Sequence, residues 1–192
     1  MADFYLASAS PRRRELLHQI GAVFEVLPAQ IEERRHSEEP APAFALRMAR
    51  EKARVIWDNL PFSAKRCVLG ADTVVVVDEQ ILGKPVDRAD GLRMLRLLSS
   101  RTHHVYTAVV LVGAAQSHEA LSMSKVTFRA ITESEAHRYW DSGEPVDKAG
   151  GYAIQGYGAI FVRHLEGSYS GVMGLPLFET AMLLNAAGIS LL

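Results

Sequence analysis

The sequence predicts an α/β fold in which a mixed, twisted sheet is flanked by helices. Apolar runs typical of buried strands alternate with segments whose apolar residues recur at helical spacing. The strand candidates are residues 4–7, 24–27, 67–77, 81–82, 103–112, 118–129 and 159–164, and the helix candidates are 11–20, 43–57, 88–98, 133–141 and 177–187. This alternation indicates the α/β class. A chain of 192 residues fits one domain over 1–192, or one domain whose sheet divides into two lobes around a cleft.

Capping residues indicate where the helices begin and end. Pro11 takes the favoured first position of the first helix after a Ser10 cap. Asp87 is a candidate N-cap of the third helix, and residues 132–135 fit the capping-box pattern that opens the fourth. In the second helix, Lys52 lies at the edge of an apolar stripe formed by Leu46, Ala49, Ala53, Ile56 and Trp57. From that edge, Lys52 can reach past the core.

Composition excludes several function classes. Lys plus Arg number 21 against 22 for Asp plus Glu, so a global basic field for nucleic acid is not expected. The single cysteine, Cys67, rules out an internal disulfide and a cysteine-rich zinc site, and it fits a reducing, cytoplasmic compartment. We see no secretory signal and no apolar stretch long enough for a bilayer, so neither export nor membrane insertion is expected.

The segment from Ser8 to Arg13 is a candidate phosphate site. It joins the first strand to the first helix, where backbone N–H groups and the helix dipole favour anions. The hydroxyls of Ser8 and Ser10, with Arg12 and Arg13, would complete it. Arg13 shares the apolar face of the helix, and an inward arginine needs an anion partner. The simpler interpretation is a capped helix with solvated arginines.

Charged residues elsewhere could join this site. Asp72 interrupts an aliphatic strand, where a carboxylate is costly unless it binds a cation or hydrogen-bond donors. Beside a triphosphate it could hold Mg²⁺ and take a proton from water; otherwise it is a strand-end residue facing solvent. Lys84 lies on a rigid turn, although an exposed lysine is common there, and the same holds for Lys52. Glu33 could supply a second carboxylate, but the sequence does not separate it from Glu32.

A glycine-rich segment over residues 147–158 could approach a ligand closely. Its four glycines permit backbone contact, and Gln155 offers both a donor and an acceptor to the edge of a base. An ordinary surface loop is about as compatible with this composition. Signatures of phosphate loops, zinc helices and serine-nucleophile elbows are missing. The adjacent pair His103 and His104 would point to opposite faces of a strand, so we interpret them as structural.

Taken together, these motifs resemble the Maf family of nucleotide pyrophosphatases. The similarity covers nearly the whole chain, in the same order and spacing. The segments that carry it are residues 8–17, 50–53, 70–73, 83–85, 147–156 and 174–177.

The resemblance implies hydrolysis of a nucleoside triphosphate between the α- and β-phosphates, in a nucleotide-binding cleft between two lobes of a Maf/ITPase-like fold. The implied catalytic set is Ser8, Arg12 or Arg13, Glu33, Lys52, Asp72 and Lys84. Within it Asp72 would accept the proton, and Asp72 with Glu33 would bind a divalent cation, Mg²⁺ or Mn²⁺, that neutralises the polyphosphate and orients the water.

The form of the loop that ends in Gln155 resembles the branch acting on dTTP and UTP. Arg13, Thr73 and Gln155 would then be the specificity positions. A glutamine amide can pair with O4 and N3–H of uracil or thymine. The alternatives are the sister branch acting on methylated GTP and a non-enzymatic regulator of septum formation. The expected partner is a nucleotide rather than nucleic acid or membrane, with a homodimer as the family-based expectation.

Overall fold

The computed structural model describes residues 2–191 and confirms the α/β class. The elements in chain order are β1 (Phe4–Leu6), α1 (Pro11–Gln19), β2 (Phe24–Val26), α2 (Ala41–Asn59), β3 (Cys67–Val77), β4 (Gln80–Leu82), α3 (Arg88–Leu98), β5 (Thr102–Val112), β6 (Ser117–Phe128), α4 (Glu133–Asp141), β7 (Val162–Glu166), α5 (Tyr169–Met173) and α6 (Leu177–Ala186). Over these residues the sheet has seven strands in the order β2-β1-β3-β5-β6-β7, with β4 beside β3. None of the helices described is long and apolar enough to cross a membrane.

The chain forms two compact units. The first contains the described residues up to 72, residues 107–122 and those from 174 onwards. The second contains residues 73–106 and 123–173. The long strands β3, β5 and β6 each contribute one part to each unit, so neither unit is a continuous segment of the chain.

In the first unit, β1 pairs in parallel with both β2 and β3. The side of α2 that faces the core differs from the predicted stripe: its buried residues are Ala45, Met48, Ala49, Lys52 and Ala53. Leu46, Ile56 and Trp57 are only half-buried. The predicted stripe was therefore wrong in part, because the buried face is rotated about the helix axis relative to it. The helix presents small residues to the sheet, and these allow a close approach. Lys52 lies on the buried face rather than at its edge.

In the second unit, β4 pairs antiparallel with β3, and β7 pairs antiparallel with β6, around an apolar core that includes Leu95, Phe128 and Phe161. The caps at Asp87 and Thr132 are confirmed: each side chain accepts a hydrogen bond from the backbone N–H three residues later. The strand predicted at 159–164 was partly wrong, because residues 157–161 form a 3₁₀ turn and β7 begins only at residue 162.

Helix α5 was not predicted, although its start carries a signal. The backbone carbonyl of Ser168 accepts from Val172 N at 3.0 Å, and the Ser168 hydroxyl accepts from Gly171 N at the same distance. This is the hydrogen bonding of an N-terminal serine. The helix spans only five residues, too few for a periodic apolar pattern to reveal it.

Candidate active site

Parallel pairing brings the ends of β1 and β3 to one edge of the first unit. Leu6 is level with Leu69, and Ala7 N donates to the Leu69 carbonyl at 2.8 Å. Ser8 lies two residues after the end of β1, while β3 continues from Leu69 to Asp72. Because parallel strands share the direction of their carboxyl ends, the turn into α1 and the Asp72 carboxyl lie at the same edge.

Gly70 allows α2 to approach β3 closely. A Cβ atom at Gly70 would overlap the Ala49 carbonyl oxygen and lie 2.9 Å from Ala53 N. Alternate residues of a strand point to the same face, so Asp72 shares the face that α2 covers. Lys52, in the same turn of the helix as Ala49 and Ala53, therefore meets Asp72.

The Lys52 ammonium bridges two carboxylates. Its Nζ donates to Asp72 Oδ1 at 2.6 Å and lies 2.7 Å from Glu33 Oε1. The side chains of Lys52 and Asp72 are only 11% and 10% exposed, whereas that of Glu33 is 47% exposed. Of the two glutamates that the sequence left open, Glu33 is the one that pairs with Lys52.

A second ion pair, which the sequence analysis missed, fixes the charged loop that carries Glu33. Arg47 donates from Nε and Nη2 to the two carboxylate oxygens of Glu39, both at 2.7 Å. It also donates to the Arg34 carbonyl at 2.9 Å. The hydrogen bond from Arg47 lowers the pKa of Glu39 to about 2. Arg47 also pairs with Glu51 at i, i+4 spacing on α2, a pattern visible in the sequence, but nothing in the local sequence points to Glu39 as its partner.

Burial and charge act in opposite directions on Asp72. Removal from water raises the pKa of its carboxyl, and this effect outweighs the lowering by Lys52 and Arg13. Burial likewise lowers the pKa of Arg13, although the charge of Asp72 opposes it. Asp72 is therefore a buried carboxylate beside a cation, and not the solvent-facing residue at a strand end that was the alternative.

The turn into α1 differs in detail from the predicted cap. Ser10 occupies the N-cap position, but its side chain makes no capping hydrogen bond. Instead the Ser8 hydroxyl accepts from Ser10 N at 3.2 Å and from Arg13 Nη1 at 3.1 Å. Since both lone pairs of the Ser8 oxygen are used, its own hydrogen is directed elsewhere.

Arg13 also reaches the far end of the chain. Its Nε donates to the Gly174 carbonyl at 2.8 Å. This inward arginine was expected to have an anion partner, and the structure shows two neutral oxygen acceptors for it, from Gly174 and Ser8. Gly174 was noted only as part of the family pattern, and nothing in the local sequence marks its carbonyl as a partner of Arg13. Arg12, the candidate immediately before Arg13 in α1, is half-buried.

The remaining predicted residues belong to the second unit. Thr73 follows Asp72 and points to the opposite face of β3. Lys84 is exposed in the turn after β4, and the preceding Gly83 carbonyl accepts from Gly150 N at 2.9 Å. Gln155 is exposed. The structure places Ser8, Arg13, Glu33, Lys52 and Asp72 together in the first unit, and it holds the Lys84 turn to the glycine-rich segment in the second.

No group of three or more His, Cys, Asp or Glu side chains suited to a metal ion occurs in residues 2–191. The first unit instead offers two carboxylates, Asp72 and Glu33, with the Lys52 ammonium between them. Carboxylate oxygens are hard donors that suit Mg²⁺, which usually takes one or two carboxylates together with phosphate oxygens and water. The donor set fits a cation that substrate phosphates would share.

Comparison with known proteins decides the family. The family model described as "Maf-like protein" matches residues 3–187 of this chain. The chain belongs to the Maf-like family. It is 54% identical over 184 residues to a protein named dTTP/UTP pyrophosphatase from Alkalilimnicola ehrlichii, covering 94% of this chain and 91% of the relative. It is 52% identical over 196 residues to the protein of the same name from Bordetella avium, covering 97% and 96%.

Among solved structures, the nucleoside-triphosphatase / dITP/XTP pyrophosphatase of Mycobacterium abscessus matches with a TM-score of 0.48 and 17% identity, covering 96% of this chain and 93% of that one. A likeness this distant carries no argument about the site. The family assignment therefore rests on the sequence relatives and the family model.

Proposed function

We propose that this Maf-like chain hydrolyses pyrimidine nucleoside triphosphates, dTTP and UTP, to the nucleoside monophosphate and pyrophosphate. The observation that carries the proposal is the buried Asp72 carboxylate paired with Lys52 and, through it, with Glu33. The names of the relatives, dTTP/UTP pyrophosphatase, support the substrate class. They favour it over the methylated-GTP alternative.

The triphosphate would bind at the start of α1. There the Ser8 hydroxyl hydrogen, the Ser10 hydroxyl and the guanidinium groups of Arg12 and Arg13 supply donors, and the helix dipole favours negative charge. Lys52 and Lys84 would add positive charge as the anhydride bond breaks.

Asp72 would act as the proton acceptor. A water oxygen forms a bond to phosphorus at the α,β-anhydride, the bond from phosphorus to the bridging oxygen breaks, and the proton of the water passes to an Asp72 carboxylate oxygen. Pyrophosphate leaves with the electron pair of the broken bond. Because burial raises the pKa of Asp72, this carboxylate is a stronger base than an ordinary aspartate.

Asp72 and Glu33 would hold a divalent cation, Mg²⁺ or Mn²⁺, together with the substrate phosphates. Such an ion neutralises phosphate charge and polarises the attacked group when it is bound. The Lys52 ammonium lies between the same two carboxylates and adds positive charge there.

Base recognition would come from the specificity positions Gln155, Thr73 and Arg13. The Gln155 carboxamide can accept from N3–H and donate to O4 of uracil or thymine, which matches the substrates named for the relatives. Guanine presents the same pair at O6 and N1–H, so the exclusion of guanine derivatives would come from the larger purine and its 2-amino group rather than from the Gln155 amide.

A panel of nucleotides with Mg²⁺ tests the proposal. Pyrophosphate release should be fastest from dTTP and UTP, and Asp72→Asn should abolish it, whereas Asp58→Asn at an exposed position of α2 should not. Full activity in Asp72→Asn would remove this residue from its role. If no triphosphate were turned over at any metal concentration, the regulator of septum formation would become the better interpretation.

Substitutions of Glu33 and of its neighbour Glu32 form a matched pair that tests the proposed metal ligand. Glu33→Gln should raise the Mg²⁺ concentration needed for half-maximal rate by about tenfold, the lower range for weakened metal ligation. Glu32→Gln, an exposed neighbour, should leave it unchanged. Equal effects of the two substitutions would contradict a specific role for Glu33.

A further inference from the structure

One carboxylate holds the backbone beyond Gln155. Glu144 Oε2 accepts from Tyr157 N at 2.9 Å, and Glu144 Oε1 accepts from Gly158 N at 3.0 Å. These two N–H groups lie two and three residues after Gln155 in the chain. Glu144 itself is half-buried, in the 3₁₀ turn that follows α4.

A phenol holds the backbone before Gln155. The Tyr139 hydroxyl donates to Glu144 Oε1 at 2.7 Å and accepts from Ala153 N at 3.1 Å. Tyr139 is 5% exposed, and its ring packs edge-on against Phe161 with centroids 5.2 Å apart. The core of the second unit therefore fixes the position of the hydroxyl. Its two hydrogen bonds in turn restrain Glu144 and the backbone at Ala153.

The glycines of the segment are matched to this arrangement. A Cβ atom at Gly156 would overlap the Glu144 carboxylate, and one at Gly158 would lie 2.7 Å from the Tyr139 hydroxyl oxygen. Residues 151–154 are buried, and Gln155 is the first exposed residue after them. The segment is packed tightly on both sides of the position that presents its side chain to solvent.

We propose that Glu144 and Tyr139 are positioning residues that set base specificity by fixing the backbone at Gln155. The inference rests on the proposed function, in which Gln155 contacts the base. A glutamine amide that is free to rotate or shift can pair with uracil in one orientation and with cytosine in the other, because it carries both a donor and an acceptor. The hydrogen bonds at residues 153, 157 and 158 fix the backbone from which this side chain reaches the base, and that position favours one orientation of the amide over the other.

Tyr139→Phe tests this assignment, because it removes the hydroxyl and keeps the buried ring. The ratio of kcat/KM for UTP to that for CTP should fall about three- to tenfold, the range expected for one lost hydrogen bond. The change should appear mainly in KM for UTP, with kcat nearly retained. Tyr157→Phe is the matched control: it lies two residues from Gln155, its side chain is 69% exposed, and the ratio should not change.

A double-mutant cycle separates positioning from general damage. In a Gln155→Ala background, Tyr139→Phe should leave the remaining UTP to CTP ratio unchanged, because the side chain it positions is gone. An equal loss in both backgrounds, or an unchanged ratio in the single variant, would overturn the proposal. If Gln155→Ala alone left the UTP to CTP ratio unchanged and pyrophosphate release intact, the proposal would also be overturned. That result would not contradict the hydrolytic function.

Hydrogen exchange provides a readout that needs no substrate. Tyr139→Phe should speed exchange of the amides at 153–158 and leave those of β1 and β3 unchanged. Protection unchanged at 153–158 would overturn the positioning role whatever the activity. A wild-type protein that released no pyrophosphate from pyrimidine triphosphates would instead overturn the proposed function and the specificity role with it, while the exchange data would still report on the hydrogen bonds.

Discussion

Replacing Lys52 with methionine keeps most of the apolar stem of the side chain and removes the ammonium between Asp72 and Glu33. Removal of one partner from a buried ion pair costs about 3–5 kcal/mol, because the other charge stays buried and unpaired. Asp72 meets that description with a side chain 10% exposed, whereas Glu33 at 47% is hydrated and adds little. We expect Lys52→Met to lower the free energy of unfolding by about 3 kcal/mol, near the lower limit, since Asp72 can relieve the cost by taking up a proton.

Because Asp72 can take up a proton, the loss of unfolding free energy in Lys52→Met depends on pH. Burial already raises the pKa of Asp72, and the variant lacks the lowering effect of Lys52, so the folded-state pKa rises further above the unfolded value of 3.8. A carboxyl with a raised folded pKa binds its proton more tightly in the folded state. The variant should therefore lose stability as pH rises from 3.8 through the folded pKa. Its deficit relative to wild type should grow over that range.

Urea unfolding followed by tryptophan fluorescence at about pH 5 and about pH 8 measures the effect. Lys125→Met is the matched control, because Lys125 pairs with Glu166 at the surface, where the side chains are 40% and 64% exposed. It should cost less than about 1 kcal/mol. In an Asp72→Asn background, Lys52→Met should cost much less than in wild type. A loss no larger than that of the control, or one unaffected by Asp72→Asn, would refute the coupling.

Two further predictions concern the elements that position this site. Gly70→Ala should lower the unfolding free energy by about 1–3 kcal/mol and slow pyrophosphate release, because the new methyl group displaces α2 and Lys52 with it; Gly83→Ala, where a Cβ atom meets open space, should leave stability nearly unchanged in the same urea titration. The Glu39–Arg47 pair should contribute stability above pH 4.5 that is lost as pH falls towards about 2, because the pKa of Glu39 is lowered in the folded state. Arg47→Met should remove that part of the acid dependence, and an identical acid titration of the two proteins would contradict the assignment.

Features that depend on neighbouring residues were predictable. The caps at Asp87 and Thr132 involve side chains and backbone N–H groups three residues apart, so their sequence pattern is sufficient. The strand over residues 67–77 was predictable from its run of valines, and Asp72 stood out within it because a carboxylate there is costly without a partner. The family pattern added the relation among distant motifs, which composition and periodicity do not contain.

Features that depend on packing between distant elements were not predictable from the sequence. The face of α2 was misassigned because the larger residues of its stripe are only half-buried, while alanines contact the sheet at Gly70. Residues 159–161 of the 3₁₀ turn were assigned to a strand because the turn is shaped by hydrogen bonds from Tyr157 N and Gly158 N to Glu144, which lies more than twelve positions earlier in the chain. Local pattern carries no record of either contact.

Residue types and their spacing established the α/β class, a candidate anion site at the start of α1, and a carboxylate that needed a cation or hydrogen-bond donors. The folded chain then showed that Lys52 is the cation beside Asp72, that Glu33 rather than Glu32 shares it, and that Arg13 donates to the Gly174 carbonyl 161 residues away. Residue type determines whether a buried side chain requires an ionic or hydrogen-bond partner. Which residue supplies that partner depends on which distant elements the core packs together.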